Sequence, residues 1–208
     1  WGRLIRGGAW NGPARYARSA RRDQRPPGVA GSGLGFRVAR VLVGVPKEHI
    51  ASLSGGLVAF YGFNDGKAQD LSGHGHHGDF SANPPVKSPG TEGDGLAFNS
   101  SHHNYITLPL NINPDVMPQI TMGGWFYQFA KRGQTLISHD DGWFDRTLAI
   151  DGRGRDDGKK RWSAFNGQKV VAVEDVAAER WTFVALRHDQ TTANLTIDVN
   201  DTRVTHPG

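Results

Sequence analysis

No cysteine occurs among the 208 residues. That excludes disulfides, thiolate metal ligands and a cysteine nucleophile, and fits either a cytoplasmic or an exported protein. No run of about 18 apolar residues occurs, so nothing in the sequence is long enough to cross a bilayer as a helix. Acid is scarce at the start. Residues 1–40 hold nine arginines against Asp23 alone, a net +8, so the remainder carries −4 to reach the total of +4. These arginines are spread among RGGAW, PP and glycine-rich turns, with no lysine block and no amphipathic helix. Such spacing suits ion pairs and carbonyl contacts better than a phosphate backbone, and no nucleic-acid partner is expected. The chain opens at Trp1 without a charged-then-apolar leader and closes in THPG after a strand-like run. It is expected to be an internal piece of a longer polypeptide.

What is present is glycine and proline, 28 and 11 residues, with 10% aromatics, a composition of short strands and turns. Strand-like runs follow one another from Gly55: GLVAFYGF (56–63), GLAFNS (95–100), NYITLPL (104–110), QITMGGWFYQF (119–129) and QTLISHD (134–140). RTLAID (146–151), RWSAFNG (161–167), KVVAVEDV (169–176), RWTFVALRHD (180–189) and ANLTIDVNDTRVT (193–205) complete the series. The last run alternates around Asn200-Asp201 and predicts a hairpin. Trp125 and Trp181 lie inside apolar runs and are expected in the core. Runs this short between Gly, Asp, Asn and Pro turns predict an antiparallel β-sandwich or jelly roll.

The order of these motifs resembles the laminin G-like, concanavalin A-like jelly-roll family. GLVAFYGFNDGKAQDLSGHGHHGDF, GDGLAFNSSHHNYITLPL, ITMGGWFY, RWTFVALRHD and LTIDVND follow its pattern from 55 to 204. The resemblance implies an all-β, antiparallel jelly-roll β-sandwich over 55–208, lacking the family's last strands. Upstream, RLIRGGAWNG, ARYARSARR, RPP and GFRVAR resemble the C-terminal end of the formylglycine-generating-enzyme (sulfatase-modifying factor) family. Over residues 1–43 that implies a truncated piece of an α+β, C-type-lectin-like fold. Asn11 and Tyr16 stand where active members of that family carry two cysteines, which argues against formylglycine generation here. Residues 44–54 read as a linker.

DLSGHGHHGDF (70–80) raises the question of metal. Asp70 with the glycines that follow matches the jelly-roll family's turn, and an aspartate in such a run accepts hydrogen bonds from the next backbone N–H groups. A three-histidine zinc site would need His74, His76 and His77 to converge, whereas neighbours on an extended chain point oppositely. The run is therefore read as a turn. Among metals, calcium suits its oxygen ligands better than zinc does, with Asp70 as the first candidate ligand.

The second constellation is ISHDDGWFDR (137–146), part of an Asp-box-like turn. Its functional reading is an exposed rim of His139, Asp140, Trp143 and Arg146, with Trp162 lining the same area, because sugar C–H faces stack on Trp and hydroxyls pair with carboxylates. A glycosidase of this fold would need two acids on one strand face, as in E-x-D-x-x-E. Glu174-Asp175-Val176-Ala177-Ala178-Glu179 lacks that spacing, and no Gly-x-Ser-x-Gly, phosphate loop or HExxH occurs. The expectation is a non-catalytic module of a multidomain bacterial protein that recognises glycan or protein. An exported or cell-surface setting is favoured. The alternatives are an accessory domain of a sulfatase-modifying-factor-like oxidoreductase or, less favoured, a glycoside hydrolase.

Overall fold

The computed structural model describes residues 56–130, 132–139, 146–153, 157–173, 176 and 178–208, together with the backbone of two strands near the start. The chain forms two compact units, Trp1–Pro46 and Lys47–Gly208. In the first, β1 (Arg3–Arg6) pairs antiparallel with β2 (Arg22–Arg25), Arg3 opposite Arg25. Asn11, Tyr16 and most of the formylglycine-generating-enzyme-like stretch lie outside the described residues.

The second unit is an antiparallel, jelly-roll-type β-sandwich. Two short ribbons begin it: β3 (Asp79–Phe80) with β6 (Ile106–Thr107), and β4 (Val86–Pro89) with β5 (Asp94–Ala97). The two main sheets follow. One holds β7 (Gln119–Tyr127), β12 (Trp181–Asp189), β13 (Asn194–Val199) and β14 (Thr202–His206) in the order β14-β13-β12-β7. The other holds β8 (Gln134–His139), β9 (Arg146–Asp151), β10 (Arg161–Phe165) and β11 (Val170–Val173) in the order β11-β10-β9-β8. Most of these strands fall where turn residues and alternating runs predict them.

The first anticipated strand departs from expectation. Residues 57–63 form only a single bridge, Tyr61 to Asp70. Phe60 is drawn into the Asp70 turn, its N–H donating to the Asp70 carboxylate and its carbonyl accepting from Leu71 N. Phe63 then adopts φ 58, which ends any extended run.

Period-two alternation builds the core between the two main sheets. Val184 and Leu186 of β12 with Leu195 and Ile197 of β13 face Leu148, Ile150, Trp162 and Ala164 of β9 and β10, all fully buried. Ile120, Met122 and Phe126 of β7 pack against this cluster. The expected hairpin forms with Val199 opposite Thr202, and Asn200 takes φ 49, a left-handed conformation that asparagine tolerates. Its side chain accepts from Phe183 N at 3.0 Å, tying the turn to β12.

Candidate functional site

Side chains out of phase with the core line the outer face of the β14-β13-β12-β7 sheet. From β7 come Gln119, Thr121, Gly123 and Trp125, and from β12 come Asp189, Arg187, Ala185 and Phe183, each opposite its β7 partner in that order. This face divides by chemistry along the strands. At one end Trp125, 54% exposed, meets Phe183 edge-on with ring centroids 5.6 Å apart. Tyr127 and Trp181 continue the aromatic row at 5.5 Å, half-buried. In the middle the surface drops to Gly123 and Ala185. A Cβ on Gly123 would lie 2.3 Å from the Val184 carbonyl oxygen and 2.6 Å from Ala185 Cα, so only glycine permits this approach of β7 to β12.

Beyond this low saddle opens a shallow depression of about 400 Å³, lined by Gln119, Thr121, Arg187, Asp189, Asn194 and Thr196 among others. Thr121 and Trp125 are four residues apart, so depression and aromatic wall are separated by about 13 Å along the strand. Asp189 does not point an idle carboxylate into this space. It accepts from Thr191 N at 2.8 Å, Thr192 N at 3.3 Å and Gln119 Nε2 at 3.1 Å. Desolvation raises its pKa, but these hydrogen bonds outweigh it and hold the carboxyl below its usual range.

The residues expected to form a rim separate. Arg146 and Trp162 are fully buried, which corrects the reading of Arg146 as part of an exposed rim and of Trp162 as lining the same area. Both point inward in phase with core neighbours, Arg146 with Leu148 and Trp162 with Ala164. The Arg146 guanidinium donates to the carbonyls of Ile112 at 2.6 Å and Met117 at 2.7 Å, and to His188 Nδ1 at 2.9 and 3.1 Å. His139 ends β8 half-buried, opposite Arg146 in the ladder. Asp140 and Trp143 lie outside the described residues. Trp125 is corrected in the other direction: expected in the core, it stands on the outer face. Trp181 is half-buried, and a Cβ on Gly95 of β5 would lie 4.0 Å from its ring.

The Asp70 turn is closed by its own carboxylate. One oxygen accepts from Phe60 N at 3.0 Å and Ser72 N at 2.8 Å, the other from Ser72 Oγ at 2.8 Å and His76 N at 3.0 Å. Four donors converging on one buried carboxylate stabilise a turn, an arrangement that does not suit calcium ligation. His77 Nδ1 accepts from Asp70 N at 3.1 Å, while the His74 and His76 rings sit 6.3 Å apart. Among the described residues no group of three or more His, Asp or Glu is arranged to hold a metal.

Desolvation raises the Asp70 pKa, but the four donors dominate and hold it well below the usual carboxylate range. The stability this contributes is fully present above the unfolded-state pKa of about 4 and is lost as pH falls through the depressed folded value. Asp70→Asn turns an amide N–H toward a backbone or hydroxyl donor. We expect it to cost about 1–3 kcal/mol at neutral pH and to flatten the acid limb of a stability–pH curve. An unchanged acid limb in urea unfolding would contradict this role.

Fold and surface together define an antiparallel β-sandwich with an aromatic and polar outer sheet face. No protein-family model matches the chain, and no curated protein matches it. Among solved structures it is similar to domain 4 of AbnA, a GH43 extracellular arabinanase from Geobacillus stearothermophilus, determined in complex with arabinotriose. The TM-score is 0.54 at 17% identity, over 73% of this chain and 75% of that one. At that identity the likeness concerns the fold.

Proposed function

We propose that the sandwich is a non-catalytic carbohydrate-recognition module, and that it binds glycan on the outer face of the β7–β12–β13 sheet. The observation that carries this reading is the exposed Trp125–Phe183 pair beside a saddle of Gly123 and Ala185. The aromatic wall offers C–H stacking, the low saddle leaves room for a ring, and the depression supplies hydroxyl, amide and guanidinium partners. Two likenesses support it: the laminin G-like order of motifs, and a solved domain of similar fold that holds arabinotriose. Binding fits the carboxylates better than hydrolysis does. Asp189 is engaged by three donors, and Asp198 is shared by Arg187 and Arg203, so neither is poised to exchange a proton with a glycosidic oxygen.

The test is titration of arabinotriose and other neutral oligosaccharides against the protein and its Trp125→Ala variant, followed by tryptophan fluorescence. Trp125→Ala is expected to weaken binding about tenfold or more. The unfolding midpoint should barely move, because this ring already stands in water. Unchanged affinity in the variant, or no binding of any sugar, would overturn the reading.

A further inference from the structure

Asp198 is the most deeply buried charged group on the outer face, 7% exposed, and two arginines share it. Arg187 Nε forms an ion pair with Oδ2 at 2.8 Å, and Arg203 Nε donates to Oδ1 at 2.5 Å. The register explains the cluster. Asp198 of β13 lies between Ala185 of β12 and Arg203 of β14, and Arg187 is the next outward residue of β12. One carboxylate between two guanidiniums leaves the trio with a net charge of +1. Each arginine uses only Nε, so both Nη groups of both side chains have no acceptor among the described residues. The side chains are 50% and 57% exposed.

A buried carboxylate thus accepts a hydrogen bond from Arg203 and pairs by charge alone with Arg187, whose Nε lies beside an Oδ2 that accepts no hydrogen bond. Arg187 lines the depression, beside the hydroxyl-bearing Thr121 and Thr196. The Nη1–Nη2 edge is planar and matches a carboxylate through two parallel hydrogen bonds. The Asp198 ion pair favours this position of the half-exposed Arg187 side chain, which lowers the entropy lost when an anion docks. The other carboxylate at this site, Asp189, has both oxygens engaged by its own turn and Gln119.

We infer that the outer face takes an acidic glycan, with the carboxylate of a uronic acid residue on Arg187 and a neighbouring ring across the Gly123–Ala185 saddle against Trp125 and Phe183. This deepens the carbohydrate reading and rests on it.

The probes are oligogalacturonate and glucuronoxylo-oligosaccharide, each as free acid and as methyl ester, titrated calorimetrically onto the full chain alongside a sulfated oligosaccharide. The free acid of one probe is expected to bind about ten- to a hundredfold more tightly than its ester, and high salt should erode that preference. Arg187→Gln should abolish the preference by weakening the free acid far more than the ester, which loses only a hydrogen-bonding partner. Asp198 keeps Arg203 in that variant, and its unfolding midpoint checks the fold. Arg187→Lys, with the charge but no planar edge, should restore only part of the preference. Equal binding of acid and ester, or a preference unchanged in Arg187→Gln, overturns the inference. Selection of the sulfated probe over both acids overturns the carboxylate assignment. Trp125-dependent binding of neutral sugars without binding of any charged probe overturns this inference alone. No Trp125-dependent binding of any sugar overturns the carbohydrate reading with it.

Discussion

Arg146→Ala is expected to destabilise the sandwich by about 3–5 kcal/mol, measured by urea unfolding at neutral pH. The side chain is fully buried, and three acceptors depend on it: the Ile112 carbonyl, the Met117 carbonyl and His188 Nδ1. Truncation strands all three and opens a cavity where the guanidinium lay. The same contacts make acid stability depend on this residue. His188 is 3% exposed, and desolvation, followed by the Arg146 charge, lowers its pKa. Asp189 opposes that shift and Lys169 adds to it. Because the folded pKa lies below the unfolded value of about 6.5, the unfolded chain binds a proton that folded His188 resists. Stability is therefore expected to fall as pH drops below about 6.5, down to the folded pKa. Arg146→Ala should shallow that slope by removing the second cation. A loss of under about 1 kcal/mol would show that the loop holding Ile112 and Met117 does not need this anchor.

Trp162→Ala should be of similar size, about 3–5 kcal/mol. Among the described residues the indole is the largest fully buried side chain, and it lies between Ile150 and Val173 in the β9–β10–β11 ladder, facing the other sheet. Its loss removes apolar area and leaves a void that neighbours on rigid strands fill only in part. A variant with near-normal stability and weakened glycan binding would instead place this ring at the ligand surface.

The contrast between Trp162 and Trp125 shows how far the sequence could be read. In QITMGGWFY the alternation is present: Ile120, Met122 and Phe126 share one phase, while Thr121, Gly123 and Trp125 share the other. That phase places Trp125 outside, a signal hidden by treating the run as uniformly apolar. In RWSAF no such signal exists. Arg161, Trp162, Ser163 and Ala164 are all buried, so this strand is covered on both faces and its alternation does not separate inside from outside. Arg146 misleads for a related reason: a charged residue after a turn reads as exposed, and its acceptors lie 29 to 42 residues away in sequence. The Arg187–Asp198–Arg203 cluster was equally unreadable, since it depends on the register of three strands.

By itself the sequence placed most of the strands, because turn residues and period-two patterns act over a few residues, though not the run at 56–63, which the Asp70 turn takes up instead. It also determined that Asp70 and Asn200 close turns, and that no chemistry of cysteine is present. The tertiary structure alone decided which side of each strand meets the other sheet and which distant charges share one carboxylate. It also decided whether an aromatic ring serves the core or the surface. The physical reason is that strand pairing joins residues far apart in the chain, and a side chain's environment is set by the partner that the register supplies.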